Sequence, residues 1–313
     1  MAQIDSNRDT TAALLPIGAV VREVGRSFPD VTHSSLRFLE REGLVSATRT
    51  SGGHRLYTAA DVDRIRQIKQ WQLQRHSLEE IRDRLARLDR LPALPFQATR
   101  FLDLAVSGDF AAAYQMVIDV DEVGLPLADL FGGVLQPALI ELGRRWAGGT
   151  VRVSQEKEIT ELARELIVEL TRRHAPPNPA GPTFVAACVA GERHELGLRM
   201  VCGLLRSRGA KISFLGADVD AAFLLEAVQL HQPAAVLLSA RFETSLPTIE
   251  AAVDTLRSAL PHGLFPLIFV GGQVTQTHTG ALMEAGIVSI HEETPAAACA
   301  AVMSAAESSP SRR

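Results

Sequence analysis

The chain has 313 residues, 46% of them hydrophobic and 22% charged, with a formal net charge of −4; that is enough for two or three domains, each with its own core. No apolar run approaches the ~20 residues of a membrane span, and MAQIDSNRDTTAALLP lacks the basic lead of a secretory signal. Three cysteines without CxxC spacing argue against a metal cluster or disulfide framework and fit a reducing compartment, so a cytoplasmic protein with no membrane partner is expected. Residues 1–90 carry 15 Lys and Arg against 12 Asp and Glu, the remainder 17 against 24. Any polyanion contact therefore belongs to the mildly basic head.

Residues 1–15 are expected to be disordered. Residues 16–90 are Arg-rich, and 17–43 read as two short helices joined by a turn. The second starts near Thr32, which can cap it, and turns Leu36, Leu39 and Leu44 inward, leaving Arg37 and Arg41 outward. In ATRTSGGHRLYT, polar and β-prone residues flank Gly52-Gly53, which can supply the positive φ angles of a tight hairpin. The result is a β-wing presenting Arg49, His54, Arg55 and Tyr57. A helix from Ala59 follows, with Thr58 and Asp61 as a capping pair, and another starts at Ser77, where Ser77 and Glu80 form a capping box.

A helix fit for a major groove beside a basic hairpin can read base edges while the hairpin neutralises phosphates. The run LRFLEREGLV, then TRTSGGHRLYTAADVDRI, then SLEEIRDRL resembles the winged helix-turn-helix of the MerR family in order and spacing. The resemblance implies that Thr32–Arg41, with Thr32, Ser34, Ser35, Arg37 and Arg41, enters the major groove of double-stranded operator DNA. It implies that Arg49, His54, Arg55 and Tyr57 meet the backbone, and that the protein works as a homo-oligomer, a dimer or tetramer. Many members continue into a long dimerisation helix; here Leu91-Pro92-Ala93-Leu94-Pro95 stops one early.

Residues 96–174 lack strand-like alternation and read as helices, clearest at Leu135–Trp146. The Pro-rich APPNPAGP (175–182) is a linker. Residues 183–306 then alternate short apolar runs (TFVAACVA, KISFLG, AAVLLSA, PLIFVGG, IVSI) with helix-length segments, the pattern of a parallel sheet with helices on both faces. The fold class expected is multidomain α and α/β: a winged helix-turn-helix, a helical bundle, and a flavodoxin-like doubly wound parallel sheet. Residues 307–313 are expected to be a disordered tail.

Thr183–Ala190 runs into GERHELG, placing Glu192, His194 and Gly197 in the first strand-to-helix loop, at the sheet edge where open α/β folds bind ligands. Such a histidine is either a solvated surface residue or a free ligand whose second nitrogen the nearby carboxylate can hold. Glu192-Arg-His194-Glu-Leu-Gly197, then Ser239-Ala-Arg241 with 41 residues between Gly197 and Ser239, then Gly271-Gly272 with 29 residues between Arg241 and Gly271, resemble the cobalamin-binding motif DxHxxG…SxL…GG. That resemblance implies that His194 is the lower axial ligand of cobalt and that Glu192 supports it. It also implies that Ser239 meets the displaced base, and that Gly271 and Gly272 let backbone approach the nucleotide tail. Glu192 replaces the usual Asp, and Arg241 the usual Leu or Thr.

The stretch LFGGVLQPALIELGRRWAGGTVRVSQEKEIT resembles the cap over the upper cobalamin face. With the MerR-like head, it makes the chain similar to the CarH/LitR group of photoreceptor repressors. That resemblance implies adenosylcobalamin, with Trp146 covering its upper group and Glu156 nearby, and a repressor that binds DNA in the dark and releases it on photolysis. The alternative for Trp146 is a plain core residue. The group's histidines after these two positions are replaced by Ala147 and Lys157, neither suited to capture cobalt. A different photoproduct, a cobalamin sensor without light response, or a second chromophore in the spare cap space therefore stays open. So does a corrinoid carrier or methyl-transfer module, although no catalytic domain is legible and the chain is not expected to be an enzyme.

Overall fold

The structure is a computed structural model describing residues 14–25 and 28–308; the disorder expected of 1–13 and 309–313 falls outside the described residues. The chain divides into two compact units after Leu91. The first holds α1 (Ile17–Gly25), α2 (His33–Arg41), α3 (Ala59–Leu73) and α4 (Leu78–Leu88). A small antiparallel sheet completes it, with β3 (Arg55–Tyr57) between β1 (Leu15–Pro16) and β2 (Thr48–Arg49). Three helices begin at reciprocal caps, Thr32 with Ser35, Thr58 with Asp61, and Ser77 with Glu80, each contributing about 1 kcal/mol. Leu36, Leu39, Leu44, Ile65, Ile68, Trp71 and Ile81 fill the core between them.

Three expectations are corrected here. Tyr57 does not project from the wing: it is 1% exposed. On β3 it pairs with Leu15 of β1, whose strand starts inside the expected disordered lead, and that pairing directs the ring into the core. In the hairpin only Gly53 has positive φ, +77°. The loop spans residues 50–54, closed by Thr50–Gly53 and Thr50–His54 backbone bonds, and longer loops of this kind need one left-handed residue rather than two.

The second unit starts after the proline break. α5 (Leu94–Val106) and α6 (Phe110–Val123) are followed by the short α7 (Leu127–Asp129), a π-helical turn over Leu130–Leu135, α8 (Gln136–Ala147) and α9 (Val153–His174). At the far end of α9, His174 Nε2 lies 2.6 Å from the buried Asp121 carboxylate of α6.

Beyond the linker come β4 (Thr183–Val189), α10 (Leu196–Ser207), β5 (Lys211–Val219), α11 (Ala221–His231), β6 (Ala235–Ser239), α12 (Leu246–Ala259), β7 (Leu267–Gly271), α13 (Val274–Glu284), β8 (Val288–Ile290) and α14 (Pro295–Ser308). The last helix takes in residues 307 and 308, which were expected to belong to a disordered tail. The strands are parallel in the order β5-β4-β6-β7-β8. That is a flavodoxin-like doubly wound sheet, whose order reverses between β4 and β6. Side chains alternate across it. Val185, Ala187 and Val189 pack with Leu224, Val228, Ile249 and Val253 of α11 and α12, while α10 and α14 contact each other across from them.

The helical segment docks on α10. A Cβ on Gly203 would stand 2.5 Å from Thr171 Oγ1 and 2.9 Å from Phe131, so only glycine admits α9 and the π turn this close. Arg164 of α9 pairs with Glu195 at 2.7 Å, and Gln136 donates to the Glu293 carbonyl at 2.7 Å.

Candidate functional site

At the carboxyl end of β4 the chain leaves the sheet through Ala190–Glu195. Glu192 turns back under this loop and is 1% exposed, while the His194 side chain above it is 53% exposed. One Glu192 oxygen accepts from both the His194 amide (2.8 Å) and its ring Nδ1 (2.6 Å); the other accepts from the Arg241 amide at 2.6 Å. Burial raises the pKa of this carboxyl, but the hydrogen bonds from His194 and Arg241 outweigh that and leave it below the usual carboxylate range. Ionised, Glu192 only accepts, so Nδ1 carries the proton and the lone pair of Nε2 is left for an outside ligand. Phe242, half exposed, packs edge-on against the imidazole with centroids 5.7 Å apart.

Beside this loop a cavity of about 210 Å³ opens between the sheet edge and α10 and α14. Gly197, Ser239, Gly271 and Gly272 all line it, over apolar residues such as Leu237 and Phe269. Gly197 stands in the first turn of α10 rather than in the loop: the helix begins one residue earlier, at Leu196, once Glu195 is held by Arg164 and Arg199. A Cβ built on Gly197 meets no atom within 4 Å, so a larger residue there would extend into free volume. Gly272 has φ of +108°, and a Cβ on it would lie 2.2 Å from the Ala240 carbonyl oxygen, a position only glycine can hold.

Trp146, next to the last residue of α8, is 48% exposed; Glu156, in the first turns of α9, accepts from Thr160 at 3.0 Å and lies 3.5 Å from Lys157. The exposure of Trp146 sets aside a plain core role. Glu156 stands eight residues before Arg164, about 12 Å up the helix axis from the residue that grips the neighbour of His194.

In the first unit Ser34, Arg37 and Arg41 are exposed on α2, and His54 is exposed at the wing tip. Thr32 and Ser35 spend their hydroxyls on the cap. Arg49 and Arg55 both reach Glu40, at 3.2 Å and 2.5 Å. Sequence reading missed Glu40 and Phe242. Glu40 lies on the α2 face turned to the wing, and only the folded hairpin shows it; Phe242 follows Arg241 directly and could have been marked as an apolar residue at a strand end.

A tautomer-fixed histidine beside a glycine-lined slot, in one chain with a winged helix-turn-helix, defines a DNA-binding regulator carrying a cofactor domain. Residues 182–301 match the B12 binding domain, and residues 16–88 the MerR HTH family regulatory protein. The HTH-type transcriptional repressor CarH of Myxococcus xanthus is 32% identical over 76% of this chain and 83% of its own length. The repressor CarA of the same organism is 27% identical over 85% and 90%. The chain belongs to the CarH-like group of cobalamin-binding, MerR-headed transcriptional regulators. The fold of the second unit is similar to that of the Methanosarcina barkeri monomethylamine corrinoid protein, with TM-score 0.56 and 19% identity over 66% of this chain and 96% of that one. Among the described residues no helix is long and apolar enough to cross a membrane.

The residues present fit a cobalamin. The free Nε2 of His194 could serve as a nitrogen ligand to cobalt, with Glu192 as its buried second partner. The slot offers backbone at Gly271 and Gly272, open volume at Gly197 and the hydroxyls of Ser239 and Thr294.

Proposed function

We propose that this chain is a light-responsive repressor that holds adenosylcobalamin, binds operator DNA in the dark as a homo-oligomer in the cytoplasm, and leaves it on illumination. The observation that carries this reading is the Glu192–His194 pair beside the Gly197–Ser239–Gly271–Gly272 slot, in a chain that also carries a MerR-type head. His194 would hold the cobalt through Nε2, with Glu192 fixing its tautomer and Phe242 its ring plane. The slot would take the nucleotide base. Trp146 and Glu156, at the α8–α9 corner, would cover the bound group. Arg37 and Arg41 on α2 reach base edges, and the wing meets the backbone. A bound alkylcobalamin supplies a cobalt–carbon bond that light breaks. Light response rests on the resemblance to the CarH/LitR group, and oligomeric binding on effective concentration at a two-fold operator.

The test is an absorption spectrum of the protein mixed in darkness with adenosylcobalamin, desalted, then illuminated, with an operator gel shift run on the same samples. Retained pigment that changes with light as the DNA complex dissolves supports the proposal. Retained pigment with a light-insensitive DNA complex replaces it with a cobalamin sensor. Loss of all pigment on desalting overturns it.

A further inference from the structure

Arg241 connects the two halves of the candidate site through its backbone. Its amide is held by the same Glu192 carboxylate that holds His194, at 2.6 Å in both cases. It lies two residues beyond Ser239, which lines the slot. Arg241 thus follows the slot residue Ser239 on one side and is tied through its backbone to the partner of His194 on the other. Its side chain is exposed, its guanidinium lies 5.8 Å from the centre of the Phe242 ring, and no carboxylate pairs with it among the described residues. Nearby, Glu192 is already bonded to three N–H groups, and Glu243 lies 3.1 Å from His278 Nε2. The chemical link between a corrin ring and its nucleotide base is a phosphodiester, the one anionic group of that ligand.

We propose that Arg241 is a phosphate-binding specificity residue: its guanidinium takes the phosphodiester of the nucleotide tail and selects tailed corrinoids over tailless ones. This rests on the cobalamin reading of the His194 site. The guanidinium matches phosphate in geometry and charge. The Phe242 ring 5.8 Å away and the pinned backbone restrict its freedom, which lowers the ordering cost on binding.

The experiment titrates the full-length protein in darkness with diaquocobinamide, which lacks phosphate and base, and with cobinamide phosphate, which adds the phosphate alone. The wild type is expected to bind cobinamide phosphate about tenfold more tightly, with the difference shrinking at high salt. Arg241→Leu, the residue type usual in the motif, should bring the two affinities together while leaving cobinamide binding unchanged. Arg241→Lys should restore part of the preference. Arg193→Ala, removing the exposed arginine beside His194, should leave the preference intact. A preference that survives Arg241→Leu, or one lost with Arg193→Ala instead, overturns the assignment. Failure of the wild type to bind either corrinoid would sink the cobalamin reading itself, a different result from equal binding of both.

Discussion

The Glu192 carboxylate, almost wholly buried, accepts from both the backbone and the ring of His194, and its second oxygen accepts from Arg241. Both oxygens are acceptors, so an amide cannot substitute. In Glu192→Gln one side of the amide would present N–H groups to an N–H donor. Cobalamin affinity should fall about 10- to 100-fold, the usual cost of losing an outer partner of a metal-ligating histidine. Spectrophotometric titration checks this, and unchanged affinity would show that His194 needs no orienting carboxylate.

Two glycines at the slot should fail in different ways. Gly272→Ala forces a Cβ onto the Ala240 carbonyl from a left-handed backbone, costing about 3 kcal/mol and visible as a lowered Tm. At Gly197 a Cβ meets no atom within 4 Å, and the residue sits in a helix, where leucine is the better former. The Tm of Gly197→Leu should hold or rise slightly while the base is blocked, so cobalamin binding is lost and cobinamide binding kept.

On the head, Tyr57→Phe removes a hydroxyl that is buried without a hydrogen-bond partner. Stability should stay within about 0.5 kcal/mol of the wild type, with operator affinity unchanged. Arg37→Ala, on the exposed face of α2, should weaken operator binding by about 1–3 kcal/mol and relax base preference. Fluorescence anisotropy on operator and scrambled duplexes separates these outcomes, and the reverse ranking would move the DNA interface from α2 to the wing.

The hydrogen bond from Arg55 holds Glu40 below the usual carboxylate range, against its partial burial, with Arg49 assisting. A carboxyl whose folded pKa is depressed stabilises the head fully above its unfolded value, near pH 4.5, and loses that contribution as pH falls through the lower folded value. Acid unfolding followed by Trp71 fluorescence, in a Trp146→Phe background, should therefore move to higher pH in Glu40→Gln. An unmoved midpoint would show that the wing is held by β3 pairing alone.

The one histidine between residues 96 and 174 is His174, held by Asp121 and 18 residues beyond Glu156, about 27 Å along α9. His174→Ala should leave the illuminated cobalamin spectrum as in the wild type. A changed spectrum would mean that the helical segment rearranges over a helix's full length.

Local chemistry made much of this molecule legible. Thr32, Thr58 and Ser77 announce helix starts through hydroxyls that act within one turn, and the apolar runs announce buried parallel strands without any partner being known. Gly197, Ser239 and Gly271 meet at one slot because each lies where an element starts or ends. Long-range pairing was not legible. Tyr57 reads as a wing residue until β1 joins the sheet, and the double pairing of Glu40 exists only once the hairpin folds back over α2. The close approach at Gly203 likewise depends on Thr171 and Phe131, far away in sequence.

The shared partner of Arg49 and Arg55 alters how the head meets a polyanion. Glu40 is a counterion built into the protein, so a DNA phosphate that engages the wing must displace a carboxylate as well as solution cations. The wing then contributes one net positive charge where its arginines suggest two, and the slope of log affinity against log salt is shallower by about one unit than an arginine count would give. Part of the attraction for DNA is thus already neutralised inside the free protein, which weakens indiscriminate binding to any duplex.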